Sequence, residues 1–456
     1  MNIYTVKDTE EENNMLQMSG GTITLQEGVN IVKELKKPVV RLGTNFVIDD
    51  SVLEKPTLLT GQVSSGKSTL ICKKIMPQVF NGMGEKDSAV IFAAKSEMID
   101  GFYNPSKGDI LLDYNAIKPE NIWNIFLEMQ VSADPEKTLI ELVDVMFSRH
   151  KNKVQPFFTS ASKDMFKSLT MYLYKYYEKK TGKKPNNSVL IGFFDSLTLK
   201  DSEIDGKKKK GLLTLIKEVP ELRHLSDYLG GDAGSQQALG VLGELRTVLN
   251  STFQGGGFVR AGEFSVRQAL QEGRKIFLRY NFAESTESSI VFFNMLIDQM
   301  IKISLTENGQ KVWFILDEFS LLIGQGTLRY LEAAMAYGRG NGFRLIAAIQ
   351  SAQLMEKNRT ENEANCILGL FPNIFCFFTS DYKTRQLLVR RYGTNLVSVI
   401  GFGGGKPELR EQNIIQDEDF YKIALPGDCI VSLAGYAPFF FRNNNEKLIE
   451  PEESNI

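Results

Sequence analysis

Gly61-Gln62-Val63-Ser64-Ser65-Gly66-Lys67-Ser68-Thr69 carries two glycines, a lysine and a hydroxyl at the spacing G-x-x-x-x-G-K-S. In that pattern the glycines let the backbone curl so that its N–H groups converge on a β-phosphate, aided by the dipole of a following helix. Lys67 then bridges the β- and γ-phosphates, and the Ser68 hydroxyl joins a magnesium shell. A second pair, Asp317-Glu318, ends the apolar run "VWFILDEF". Asp317 can complete the Mg²⁺ shell, and Glu318 beside it can orient or deprotonate an attacking water. A third run, "FRLIAAIQ", ends in Gln350, whose amide can contact the γ-phosphate or its water. Arg339, in the turn "YGRGNG" near the nucleotide face, is of the type that neutralises charge in a neighbouring subunit's site. Together these residues describe ATP hydrolysis with Mg²⁺.

Such chemistry needs a frame that brings distant segments to one edge. "PTLLT", "SAVIFAA", "RKIFLRYNF", "KVWFILDEF", "FRLIAAIQS" and "NIFCFFTS" are short apolar runs of the kind buried in parallel sheets, with helical patterns between them. Strands alternating with helices predict a doubly wound α/β fold, with ligands at the carboxyl ends of the strands. From about Gln155 to Glu263 the pattern changes to helices separated by polar or glycine-rich breaks, with no strand pairs evident. This predicts an all-helical insertion at 155–263, dispensable to the sheet, within a nucleotide-binding domain formed by 21–154 and 264–442. Residues 1–20 and the acidic 443–456 read as flexible ends. The lysine run "DGKKKKG" lies inside the insertion, and Arg385, Arg390 and Arg391 form another local basic spot. Neither is interleaved with aromatics in the manner of a single-strand stacking platform.

Composition narrows the classes. The chain has 456 residues, 53 basic and 55 acidic side chains and a net charge of −2, so DNA contact must come from local patches. Cys72, Cys366, Cys376 and Cys429 have no C-x-x-C spacing, and His150 and His224 are the two histidines. No zinc site or disulfide framework is expected, and the chain reads as reducing and cytoplasmic. The N-terminus has no signal-peptide pattern, and "IVFFNMLIDQMIKI" reads as a core element rather than a membrane span.

The block from Leu316 to Leu354, "LDEFSLLIGQGTLRYLEAAMAYGRGNGFRLIAAIQSAQL", resembles the second nucleotide-site block of the type IV secretion coupling proteins, the TraG/TraD-like conjugation ATPases of the wider HerA/FtsK group. "NIWNIFLEM" is similar to that family's Trp-Asn-x-Phe segment, and "PFFTSASKDMFKSLTMYL" and "FSVRQALQEGRKIFLRY" to the borders of its helical insertion. The likeness runs from about Leu42 to Phe441. It implies a RecA-like motor domain, a helical domain at the cytoplasmic end and a homo-hexameric ring around a DNA channel. It also implies DNA, a relaxase or other cargo protein, and a membrane-bound secretion component as partners. By motif position, ATP handling falls on Lys67, Ser68, Asp317, Glu318, Arg339 and Gln350, the last two as arginine finger and sensor. The sequence departs from the family in two ways. Its second strand ends Ala93-Ala94-Lys95-Ser96-Glu97 where members typically have Asp-x-Lys-Gly-Glu, and it shows no N-terminal transmembrane helices, so a peripheral position at the inner membrane is expected. The leading expectation is a DNA translocase. The alternatives are a nucleotide-controlled adaptor that recruits protein substrates, or a soluble DNA motor in packaging, element mobilisation or defence.

Overall fold

The computed structural model describes the chain except residues 1–2, 6–23, 26–27, 32–34, 44, 149–155, 205–206, 230–235, 254, 256–257, 259, 307–309, 326–327, 357–358, 400–407, 424 and 443–456. The acidic tail and His150 therefore lie outside the described residues. The main sheet is built from β1 (Thr57–Thr60), β2 (Ser88–Ala93), β3 (Ile110–Asp113), β4 (Lys275–Arg279), β5 (Val312–Leu316), β6 (Phe343–Ile349), β7 (Asn373–Phe377), β8 (Cys429–Ser432) and β9 (Phe439–Phe441). Their spatial order is β3-β4-β2-β5-β6-β1-β7-β8-β9, with the short strand Thr24–Leu25 beyond β9. From β3 to β7 every pairing is parallel, while β8 and β9 join antiparallel.

The central strands are buried at every position and mostly apolar because both faces are covered. Along β2, Val90 and Phe92 enter one core cluster while Ala89, Ile91 and Ala93 enter the other. Along β5, Phe314 and Leu316 alternate in the same way with Trp313 and Ile315. This period of two, apolar in both phases, is what a doubly covered parallel sheet requires. The six expected strands are present. The sequence reading passed over β3, β8 and β9, whose lengths of 4, 4 and 3 residues leave little periodicity to read.

The helix Glu287–Thr306 packs on one face of the sheet, and its stretch Ser288–Thr306 is long and apolar enough to cross a membrane by composition. Within the fold 83% of that stretch is buried, as the core-element reading expected.

The insertion comprises helices Pro156–Thr181, Asn187–Asp195, Leu212–Glu218 and Gln236–Phe253 with the 3₁₀ segment Pro220–Tyr228. It is not wholly helical: Ser202–Ile204 and Lys207–Lys209 pair as an antiparallel hairpin, so the lysine run forms a strand. Nor is it dispensable to the sheet. Phe166, Leu215 and Val248 belong to the same buried cluster as Val90 and Phe92, so one apolar core continues from the sheet face into the insertion. Its exit is fastened to the sheet domain by a buried polar knot. Trp123 bridges Phe264 in parallel, and Glu128 accepts from Trp123 Nε1 at 3.0 Å and from the Val266 N–H at 2.8 Å. Asn124 caps the helix Ile125–Gln130. The Trp-Asn pair noticed in the sequence is thus the place in the sheet domain to which the returning end of the insertion is fastened.

Candidate functional site: a phosphate loop at the carboxyl edge of the sheet

Because β1, β2, β5 and β6 run parallel, their carboxyl ends share one edge. There they set down Gly61–Thr69, Lys95, Asp317-Glu318 and Gln350. The loop turns through Gly61 (φ 153°), Ser64 (φ 64°) and Gly66 (φ 104°) into a helical run from Lys67 to Gly82, whose middle turn, Ile71–Ile75, is π-helical. Gly66 is held to glycine twice over: its φ is positive, and a Cβ there would stand 2.4 Å from the Gly427 nitrogen. That turn caps the loop, with the Gly427 N–H donating to the Ser65 carbonyl at 2.9 Å. At the helix start, the first N–H groups have no intrahelical acceptor and point toward the loop's mouth.

Lys67 is buried rather than exposed, contrary to the usual picture of a loop lysine. Its ammonium donates to the Gly61 carbonyl and, at 2.9 Å, to that of Gln62. Burial pulls its pKa below the usual lysine value, against the opposing pull of Glu318 and Asp317. The curl of the loop around its own lysine satisfies an amine that no carboxylate touches directly.

Asp317 is 1% exposed and its carboxyl is pushed up to about 6, first by burial and then by the charge of Glu318. Its Oδ2 has no hydrogen-bond partner, and neither do the buried Thr60 Oγ1 and Ser65 Oγ. Buried polar atoms left unpaired are costly, and three at one strand edge mark a place prepared for a ligand. A carboxylate in this setting is matched by a cation, so Asp317, with the Ser68 hydroxyl, would suit a magnesium ion.

Glu318 adopts φ 53°, a left-handed conformation that costs a residue bearing a Cβ roughly 1–2 kcal/mol. The turn aims its carboxylate at Gln350, whose Nε2 donates to Glu318 Oε1 at 2.8 Å. Sequence reasoning gave these two side chains separate parts, whereas the fold couples them.

Lys95 was missed. It lies two residues past β2, in the segment noted for its lost acid, and its Nζ donates to Ser68 Oγ at 2.6 Å. The signal was available: a lysine just beyond a buried parallel strand points to the same edge as the phosphate loop.

Arg339 is not at this edge. It sits in the turn Gly338–Asn341 that precedes β6, at the amino ends of the strands. The seven residues of β6 separate that turn from Gln350, a span of about 23 Å at ~3.3 Å per residue. The expectation that the Arg339 turn lies near the nucleotide face is therefore corrected. The side chain is 61% exposed and pairs with Glu54 at 2.9 Å. Its turn is fixed from below by Arg344, which donates to the Arg339 carbonyl at 3.1 Å and binds Asp50 through Nε and Nη2 at 2.9 and 3.1 Å. The other basic spot is largely internal: Arg385 pairs with Asp417 at 3.1 Å, and Arg391 donates to the Phe371 carbonyl.

Beside the loop lies a hollow of about 250 Å³ lined by Gln62, Ser65, Phe378, Ile423, Leu425 and Pro426. Its apolar wall next to a phosphate cradle has the chemistry to take a flat base.

The family model for type IV secretory system conjugative DNA transfer matches residues 57–403, more than half of the chain. The chain belongs to that family. Among solved structures, this chain is similar to the bacterial conjugative coupling protein TrwBdeltaN70 in its unbound form, at 18% identity and TM-score 0.66, over 97% of this chain and 93% of that one. It is also similar to the plasmid coupling protein TrwB in complex with ADP and Mg²⁺, at 17% identity, TM-score 0.64 and 97% and 93% coverage. VirB4 of Thermoanaerobacter pseudethanolicus matches at 11% identity and TM-score 0.51, over 91% of this chain and 97% of that one. No curated protein matches by sequence. At these identities the structural matches establish the fold, a RecA-like α/β domain.

Proposed function

We propose that this family member is an ATP-hydrolysing motor that moves DNA, with or without attached protein, through a homo-hexameric ring. The observation that carries the reading is the meeting of Lys67, Ser68, Asp317, Glu318 and Gln350 at one sheet edge, where Asp317 Oδ2 and the neighbouring Thr60 and Ser65 hydroxyls are buried without a partner. The loop N–H groups of residues 61–69 would hold the phosphates, and Lys67 would exchange its two carbonyl acceptors for β- and γ-phosphate oxygens. A magnesium ion held by Ser68 and Asp317 would supply charge neutralisation on those oxygens. Glu318 would take the proton of the attacking water, and Gln350, hydrogen-bonded to it, would register the change in its charge. Arg339 stands about 23 Å of strand away from its own site, which supports action on a neighbouring subunit and so a ring. The sheet domain, 21–154 with 264–442, would be the motor, and 155–263 the unit that meets cargo such as a relaxase. A membrane-bound secretion component would recruit the ring at the inner membrane. The solved TrwB complexes with ADP and Mg²⁺ and with a non-hydrolysable ATP analogue support the choice of nucleotide and metal.

The test is ATP turnover by the purified chain with and without DNA, across a salt titration. Stimulation by DNA that fades as salt rises supports the motor. Nucleotide binding with no response to DNA would return the reading to a nucleotide-controlled adaptor.

A further inference from the structure

The outer half of the helix Pro156–Thr181 bears an unusual mixture of aromatic and basic side chains. Between Lys163 and Lys184 the chain has seven lysines against two acids, Asp164 and Glu178, in a protein whose net charge is −2. Tyr172 and Tyr176, one turn apart, lie half-buried with ring centroids 5.4 Å apart and planes inclined by 36°. Lys180 stands 5.0 Å over the Tyr172 ring and donates to its hydroxyl at 2.7 Å, while Lys179 stands 5.6 Å over Tyr176. The two rings form a wall between two hollows. One, of about 510 Å³, is lined by Tyr172, Tyr176, Tyr177, Phe193, Lys180 and Lys209. The other, of about 180 Å³, is lined on the far side by Lys167, Lys175 and His224. The hairpin Ser202–Ile204/Lys207–Lys209 is what brings Lys209 to these tyrosines, across a separation the sequence does not reveal.

We propose that this face binds single-stranded nucleic acid, with bases stacked on Tyr172, Tyr176 and Phe193 and phosphates on Lys175, Lys179, Lys180 and Lys209. Rings and cations alternate along the helix at its pitch of about 5.4 Å, and an unpaired strand alternates flat bases and charged phosphates in the same way. A duplex hides its base faces and could use only the lysines. The acids nearby are already engaged or peripheral: Glu221 accepts from the Tyr176 hydroxyl at 2.6 Å, Lys210 pairs with Glu218, and Asp164 pairs with Lys167. Glu136 lines the smaller hollow, and Glu178 stays at the exposed edge. The site lies outside the nucleotide site and needs no step of hydrolysis.

The experiment measures fluorescence anisotropy of labelled oligo-dT and of a labelled duplex on the full chain, without nucleotide. Tyr172→Ala with Tyr176→Ala is expected to weaken oligo-dT binding by roughly ten- to a hundredfold while changing duplex binding little. Tyr172→Phe with Tyr176→Phe keeps the stacking faces and should bind as the parent does. Lys180→Ala with Lys209→Ala should reduce the salt slope of binding. An alanine pair that melts normally and binds oligo-dT as well as the parent overturns the proposal, and so does equal loss for strand and duplex. Binding of labelled polyglutamate without measurable oligo-dT binding overturns it in favour of an acidic protein partner. Patch-dependent strand binding in a chain that does not hydrolyse ATP leaves this site standing and removes the motor. Turnover without strand binding does the reverse.

Discussion

Replacing Glu318 by glutamine separates water activation from everything else the residue does. The amide keeps an oxygen to accept from Gln350 Nε2, now at 2.8 Å. It also keeps the Cβ, so the cost of φ 53° is the same in both proteins. Stability should therefore move by no more than about 0.5 kcal/mol, the range of substitutions that break no named interaction. Nucleotide binding should hold or tighten, because one negative charge leaves a site that receives an anion. Turnover should fall by about 10²–10⁴, the usual worth of a positioned general base, or ~2.7–5.4 kcal/mol in the barrier. Phosphate release, binding of a fluorescent nucleotide and a thermal melt read the three quantities separately. A companion, Glu318→Gly, should be equally inactive yet more stable by about 1 kcal/mol, since glycine carries no left-handed penalty. Turnover of Glu318→Gln within tenfold of the parent would refute the base assignment. A collapse of nucleotide affinity would instead make Glu318 a structural or metal-binding residue.

Three further outcomes are expected. Lys95→Met should weaken binding of a non-hydrolysable ATP analogue about tenfold or more and that of ADP less, from loss of one charge-assisted hydrogen bond; equal affinities in titrations with both nucleotides would count against a phosphate contact. Asp50, although burial alone would raise it, is held below the usual carboxylate value by Arg344 and Lys311, so its contribution to stability is present above about pH 4 and is lost as pH falls through its lowered pKa. Asp50→Asn should cost about 3–5 kcal/mol by leaving Arg344 buried and unpaired, and flatten the acid limb of stability; denaturant melts from neutral to acid pH check both. Arg339→Ala should keep nucleotide binding and lose turnover, and mixing it with Lys67→Ala protein should restore some activity, because mixed rings pair an intact site with an intact arginine. Mixed rings verified by mass that stay inactive would remove the trans role.

How much was legible follows from what each feature depends on. The phosphate loop and Asp317-Glu318 were readable because their chemistry is local, with fixed spacing at the end of a buried strand. Gln350 was readable for the same reason, but its hydrogen bond to Glu318 was not, since it depends on β5 and β6 being neighbours. Arg339 illustrates the opposite failure. Its glycine-flanked turn was read as lying near the nucleotide face, yet a strand is a rod, and the residues before β6 stand at the other end from Gln350. The lysine run was read as detached from aromatics because Lys209 and Tyr172 are far apart in sequence, and only the hairpin and the long helix bring them together. The insertion's dependence on the sheet was hidden for a related reason: a shared core is a property of packed faces, and each helix taken alone shows only its own apolar stripe.

The altered segment after β2 is where these threads meet. Members that the sequence resembles typically carry an acid at the position of Ala93, two residues before a lysine. Here Ala93 is 1% exposed and apolar, so the site has lost a carboxylate while keeping Lys95. A cation beside a missing acid takes the best remaining acceptor, and the Ser68 hydroxyl at 2.6 Å fills that part. On the proposed reading, a magnesium ion on the Ser68 hydroxyl would compete with this ammonium, and phosphate oxygens brought by the nucleotide would offer Lys95 other acceptors. The lost acid would then tie the position of Lys95 to the nucleotide, which is why the triphosphate should feel its removal more than the diphosphate.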